Sequence, residues 1–447
     1  MPESIIITKP QVQRVGDRVT VSADYLRDDG AGQMMLLHRA SFRFEWRGPF
    51  SLAGGEAFVT LGLLPAMRLG LPMFSEAPVA PGFLDRMKCL MEIIMAWFGD
   101  GLTRVELSAS AERPIETGKR GVAAFFSCGV DSFHTVDKRR SELTHLLFID
   151  GFDVDLHQVE HRLLARANAQ EAAGEMGLPL VIIETDARLF LDRYVGWKIS
   201  GGTVVGAVAQ LFVSVIDQAI LAASHLWREN HQNSDAYMFA SQFNLADLDF
   251  CLDGLNLSRA GKIADLGDCA PFFRHLRVCW EMPLDRLNCG SCEKCLRTIV
   301  SMNAVGLISK CESLPSSVDW QKVASVEIRL TSVLGMWDEI RRITVEPKAR
   351  AMLDDLLFKF EANLWSLRLW ELGKEMAQEK GWSVLGRKLG KPMLGATWRH
   401  DRVWYLKKCH QHLGQLRERL FAIADRRSAK ESGGDKSKSQ PISSTRP

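Results

Sequence analysis

Gly121-Val122-Ala123-Ala124-Phe125-Phe126-Ser127-Cys128-Gly129-Val130-Asp131-Ser132 is the stretch that decides the fold. An apolar run of strand length, Gly121 to Phe126, ends in a turn of small residues, and Asp131 and Ser132 then open a helical pattern that runs to Arg140. From there the chain repeats the alternation. His145 to Ile149, Pro179 to Glu184 and Ala236 to Ala240 read as buried strands. His157 to Gly177 and Val204 to His225 read as the helices between them. Apolar strands separated by helices are the pattern of a parallel sheet covered on both faces. The expected fold is therefore α/β, a doubly wound parallel sheet over residues 118–313.

Upstream, Arg18 to Ala23 and Ala40 to Trp46 alternate in the manner of half-buried strands, Phe83 to Trp97 is helical, and Arg104 to Ser108 alternates again. Residues 1–117 thus read as an N-terminal α+β unit. Downstream, Ala349 to Leu372 and Val403 to Ala424 carry apolar residues at helical spacing, so 314–425 reads as a helical region. From Arg426 the chain is Ser, Gly, Lys and Pro with little that is apolar, and 426–447 reads as a disordered tail.

Composition narrows the class. The chain has 447 residues, 46% hydrophobic and 25% charged, in the ordinary range for globular domains. Its net charge of +2 advertises no polyanionic partner overall. Thr203 to Ala223 is long enough to span a bilayer, but Gln210, Asp217 and Gln218 are costly in lipid, so a buried helix is expected. No basic, then apolar, export signal opens the chain. Ten cysteines in such a setting point to a cytoplasmic protein whose clustered thiols bind metal.

The turn at 127–132 has the chemistry of an anion cradle. Free amides at a helix start favour negative charge, Ser127 and Ser132 add hydroxyl donors, and Gly129 lets backbone approach a phosphate. No Gly-Lys-Ser/Thr follows, so it is not a Walker A loop. A second cluster lies at Cys279, Cys289, Cys292 and Cys295, with Asn288 and Gly290 supplying the turn. Four thiolates suit one tetrahedral Zn²⁺ in a closed structural site. An iron–sulfur cluster and unliganded thiols remain open at this point. So does the fourth ligand: Cys269 competes with Cys279, and His275 is a further option.

The loop resembles the SGGxDS pyrophosphate loop of the N-type ATP pyrophosphatases, or PP-loop enzymes, with Cys128 in place of the first glycine. A PP-loop followed by Cys-x9-Cys-x2-Cys-x2-Cys is similar to the 7-cyano-7-deazaguanine synthase family and its longer relatives, including the synthase-like proteins of anti-phage defence operons. The resemblance covers about 118–310 and extends upstream through Leu37 to Ser108. It implies an adenine nucleotide alpha hydrolase-like fold, with ATP and Mg²⁺ as cofactors beside Zn²⁺. It also implies that Ser127, Cys128, Gly129, Val130, Asp131 and Ser132 hold pyrophosphate, that Gly151 contacts adenine, and that Asp131 binds Mg²⁺. Arg259 and Lys262 stand where the longer relatives have a basic pair, and would neutralise the leaving pyrophosphate.

The activity so implied is adenylation of a carboxylate or carbonyl oxygen, then attack by a nitrogen nucleophile. The acceptor is open, because Ala240-Ser241-Gln242 stands where a Gly-Ser substrate loop is expected. Two rivals are a tRNA-modifying PP-loop enzyme and a non-catalytic nucleotide-binding partner in a defence system. Arg387 to His410, with seven Lys/Arg against one acid, reads as a solvated helical face, with RNA as the sharper alternative. His134, alone on the helix after the loop, reads as a packed or solvated residue. No membrane partner is expected, and an oligomer is compatible with the chain.

Overall fold

Alternation of apolar and polar residues builds the first strands, as it predicts. The computed structural model describes residues 2–361 apart from 100, 228–231, 282 and 327–330. β1 (Ser4–Ile7), β2 (Gln11–Val15), β3 (Arg18–Asp28) and β4 (Met34–Glu45) open the chain. Val19, Val21, Ala23 and Tyr25 of β3 face the core. α1 (Glu56–Leu69), β5 (Met73–Ser75), α2 (Phe83–Phe98) and β6 (Leu107–Ala109) follow.

The expected alternation then begins. β7 (Gly121–Phe125), α3 (Val130–Arg139), β8 (His145–Asp150), α4 (Val159–Glu175) and β9 (Leu180–Thr185) lie where the sequence places them, within a few residues. α5 (Ala187–Leu191), α6 (Trp197–Leu211), β10 (Ile216–Ala222), α7 (Tyr237–Ala240) and β11 (Asp249–Asp253) come next. α8 (Arg259–Asp265), α9 (Ala270–His275), α10 (Glu293–Ala304), α11 (Trp320–Ala324) and α12 (Thr331–Ile343) complete the named elements, and 347–361 is helical.

One large, mostly parallel sheet of eleven strands carries all of these strands, in the order β11-β10-β7-β8-β9-β4-β3-β1-β5-β6, with β2 on β3. From β11 to β9 every pairing is parallel. Within that half the order departs from chain order once, between β7 and β10, and an α/β sheet binds ligands at such a switch point. β4 joins the parallel half antiparallel to β9, through Phe42 opposite Thr185 and Arg43 opposite Glu184. The boundary expected near 117 therefore falls inside one sheet, and the first compact unit runs from Met1 to Val323. A second unit begins at Ala324.

Two element readings are corrected. Val204 to His225 is not one helix: α6 ends at Leu211, the chain turns at Phe212, and Ile216–Ala222 is the central strand β10. Helix-length apolar text hid a buried helix and a strand buried at Ile216, Ala219 and Ile220. The density of Val213, Val215, Ile216 and Ile220 was the available signal. Ala236 to Ala240 is helix rather than strand, and the strand in that position is Asp249–Asp253, whose terminal acids disguise it.

The membrane-like text is explained by burial on all sides. α6 packs against α1, itself buried from Glu56 to Met67, and Thr60 Oγ1 donates to Gln210 Oε1 at 2.7 Å across that contact. Asp217 accepts the Arg120 backbone N–H at 2.9 Å. Among the described residues no helix is long and apolar enough to cross a membrane. The expected helices and tail beyond residue 361, including 387–410, lie outside the described residues.

Candidate functional site

The loop after β7 sits at the switch point, between the carboxyl ends of β7 and β10. Gly129 is the extended N-cap residue of α3, and Ser132 Oγ donates back to its carbonyl at 3.0 Å. Ser127 and Ser132 hydroxyls lie 3.4 Å apart, so the two expected donors do converge. Val130 is buried. Cys128 takes a left-handed backbone, φ +59°, the only described non-glycine residue to do so. Glycine suits that conformation and a Cβ strains it. The thiol points inward, 1% exposed, and burial pushes its pKa up to about 12. It is a packed thiol, not a nucleophile.

Asp131, on the first turn of α3, gathers the two basic residues singled out from sequence. Arg259 donates to Oδ2 at 2.6 Å and Lys262 to Oδ1 at 3.0 Å. Lys262 also donates to the Ala223 carbonyl at the end of β10, so it ties α3 and α8 across the switch point. Burial alone would raise the Asp131 pKa, but the two cations outweigh it and hold it near 2. Both carboxylate oxygens face cations. The residue expected to bind Mg²⁺ is thus paired with two cations in this structure.

Local sequence explains the arrangement. Ser258 caps α8 by accepting the Gly261 N–H at 3.1 Å, which sets Arg259 and Lys262 on the facing turn. Gly254 has φ +78°, and a Cβ there would lie 3.0 Å from Lys262 Cε. His134 is packed rather than solvated, with Nε2 3.3 Å from Asp265 Oδ2. Gly151 has φ +88° at the end of β8, where a Cβ would lie 2.4 Å from the Thr185 carbonyl. It shares the strand-end edge with the loop.

Further charged residues at the site were missed in the sequence. Arg277 donates its backbone N–H to the Cys128 carbonyl at 2.8 Å and its guanidinium to Asp153 Oδ2 at 3.0 Å. Arg297 pairs with Glu293 at 2.8 Å. Lys294 lies within electrostatic reach of Arg259, Arg277, Arg297 and Asp153. Lys294 and Arg297 stood inside the cysteine motif, where the metal reading absorbed them; Arg277 has no local signal at all.

The cysteine cluster forms from Cys279 in the chain before α10, Cys289 and Cys292 in its approach, and Cys295 in its first turn. The four Sγ atoms all lie within 4.8 Å of one another. Cys279–Cys292 and Cys289–Cys295 are 3.8 and 3.9 Å apart. Thiolates around one zinc at about 2.3 Å in tetrahedral geometry stand about 3.8 Å apart. The set fits one metal ion such as zinc. Cys292 N–H approaches Cys289 Sγ at 3.1 Å, and Cys289 N–H approaches Cys279 Sγ at 3.4 Å.

Asn288 braces the turn around these thiols, accepting from Val278 N at 2.8 Å and donating to the Leu276 carbonyl at 2.7 Å. Gly290 supplies φ +69°. Cys269 is not in the group, and His275 is engaged with Asn168 and Glu175. The choice left open between them resolves to Cys279.

Fold and site together define an α/β protein with a mostly parallel sheet, a cation-lined loop at the switch point and a four-cysteine group able to hold a metal. No family model, no curated protein and no solved structure matches the chain.

Proposed function

We propose that the chain is an ATP-dependent enzyme of the PP-loop class, related to the 7-cyano-7-deazaguanine synthases, with an adenine nucleotide alpha hydrolase-like fold. It cleaves ATP between the α and β phosphates, passes AMP to a carboxylate or carbonyl oxygen, and lets a nitrogen nucleophile displace AMP. The observation that carries this reading is the meeting of the loop at 127–132 with Arg259 and Lys262 at the switch point of the sheet.

Each residue has a part in that reaction. Amides at the start of α3 and the Ser127 and Ser132 hydroxyls hold the pyrophosphate, with Gly151 at the edge that receives adenine. Arg259 and Lys262, oriented by Asp131, offset the charge that develops on the leaving pyrophosphate. Holding nucleotide and acceptor side by side converts collision into attack. Magnesium enters with the nucleotide as its counter-ion. Cys279, Cys289, Cys292 and Cys295 would hold a zinc with no open position, which would brace the wall beside the loop. No described residue favours the RNA-modifying rival, whose basic segment at 387–410 lies outside the described residues.

The experiment is product analysis. Zinc-loaded chain is given ATP, Mg²⁺, ammonium and a panel of heteroaromatic and peptide carboxylates, and the nucleotides are separated. AMP and pyrophosphate are expected. ADP as sole product, or no binding of ATP at all, overturns the proposal.

A further inference from the structure

We infer that Lys294 is a phosphate-binding residue: with Arg259, Arg277 and Arg297 it forms a cationic wall, carried mainly by the metal module, that closes on the pyrophosphate end of a nucleotide opposite the loop at 127–132. This rests on the nucleotide reading above and adds a second half to its phosphate site.

Cations outnumber carboxylates at the site. Arg259, Lys262, Arg277, Lys294 and Arg297 share the site with Asp131, Asp153 and Glu293, five cations against three carboxylates. Buried or half-buried charge in excess of its partners is costly, and a bound polyanion removes that cost. The excess has an address. Asp131 engages Arg259 and Lys262, Asp153 engages Arg277, and Glu293 engages Arg297. Lys294 is half-buried among them, and no described hydrogen bond or ion pair includes its ammonium. A lysine with a purely structural role finds an acceptor, and one with none extends into water.

Lys294 is the second residue of α10, a helix of twelve residues whose free amide end favours an anion. Its near neighbours Cys292 and Cys295 belong to the four-thiol group, and a metal held there would fix the turn in place. The module touches the loop itself: besides the 2.8 Å bond to the Cys128 carbonyl, Arg277 Nε approaches the Ser127 carbonyl at 3.4 Å. Fork-shaped guanidiniums hold phosphate oxygens bidentately, while an ammonium on a flexible stem follows whichever oxygen is left.

The test uses the zinc-loaded full chain and calorimetric titration with inorganic pyrophosphate and, separately, AMP. Replacing Lys294 by Met is expected to weaken pyrophosphate about tenfold or more, as for loss of one charge-assisted contact. AMP binding, zinc content and thermal midpoint are expected to stay at the parent values. Lys294→Arg restores most of the affinity, and Lys310→Met, whose ammonium is engaged with the Gly267 carbonyl, leaves it unchanged.

Equal pyrophosphate affinity in Lys294→Met overturns the inference. So does a loss of zinc in parallel with affinity, which would make the residue structural. A chain that binds pyrophosphate through Lys294 yet makes only ADP keeps this site and loses the adenylation reading. A chain that makes AMP while Lys294→Met binds pyrophosphate normally does the reverse.

Discussion

Cys128 stands where the resemblance expects glycine, and its backbone keeps the conformation glycine would have, φ +59°. The strain is tolerated because the carbonyl is held by Arg277 and the thiol is packed. Cys128→Ala keeps the strained Cβ and loses the sulfur, whereas Cys128→Gly loses the sulfur and the strain. The glycine variant is therefore expected to exceed the alanine variant in stability by about 1 kcal/mol. At ordinary sites alanine is the more stable of the two. Urea unfolding of both variants checks this, and alanine proving the more stable would remove the strain argument. Asp131 shows the opposite economy, a buried acid made useful by partners. Its depressed pKa means that the pairing with Arg259 and Lys262 contributes stability above about pH 4. That contribution is lost as pH falls towards about 2.

At the scale of elements, α8 sets Arg259 and Lys262 on the loop after β7, and α10 brings Lys294 and Arg297 within electrostatic reach of Arg259. α8 is placed by its Ser258 cap, and α10 by the four cysteines. A metal site whose ligands converge only in the folded chain contributes its binding energy to folding. About one zinc per chain is expected. Cys292→Ser should lose the metal and lower the thermal midpoint, while Ser at Cys269, Cys251 or Cys311 leaves metal content unchanged. Elemental analysis of the purified variants decides. Zinc retained in full by Cys292→Ser, or lost from Cys269→Ser, would contradict the assignment of the four convergent thiols as the ligands.

At the scale of the first unit, Met1 to Val323, one buried ion-pair triad ties the early chain to the site half of the sheet. Arg113, after β6, donates to Asp247 at 2.6 and 3.0 Å and to Glu56 of α1, with all three side chains at most 2% exposed. Glu56 also accepts the Ala80 N–H at 2.7 Å, and Asp247 accepts that of Glu116 at 2.8 Å. Arg113→Met leaves two buried carboxylates without their cation. The expected cost is about 3 kcal/mol. Chemical denaturation at neutral pH measures it, and a change under 1 kcal/mol, the scale of a surface pair, would show that the triad is not holding the halves together.

The sequence by itself determined the local features. Strand, small-residue turn and capped helix at 121–140 could be read because those signals lie within a few residues of one another. The four-cysteine spacing could be read for the same reason. Only the tertiary structure decided the rest. Residues 203–223 have one apolar text for a helix buried all round and a partly buried central strand, because burial of the helix on every side erases the periodicity that separates the two. The fourth thiol was Cys279 rather than Cys269 because the chain path, not spacing, brings sulfur atoms within 4.8 Å. Sheet continuity across residue 117 rests on two residue pairs between β4 and β9. The cationic wall of Arg277, Lys294 and Arg297 exists only where two loops and a helix start meet, since charge acts through space and the sequence records only order along the chain.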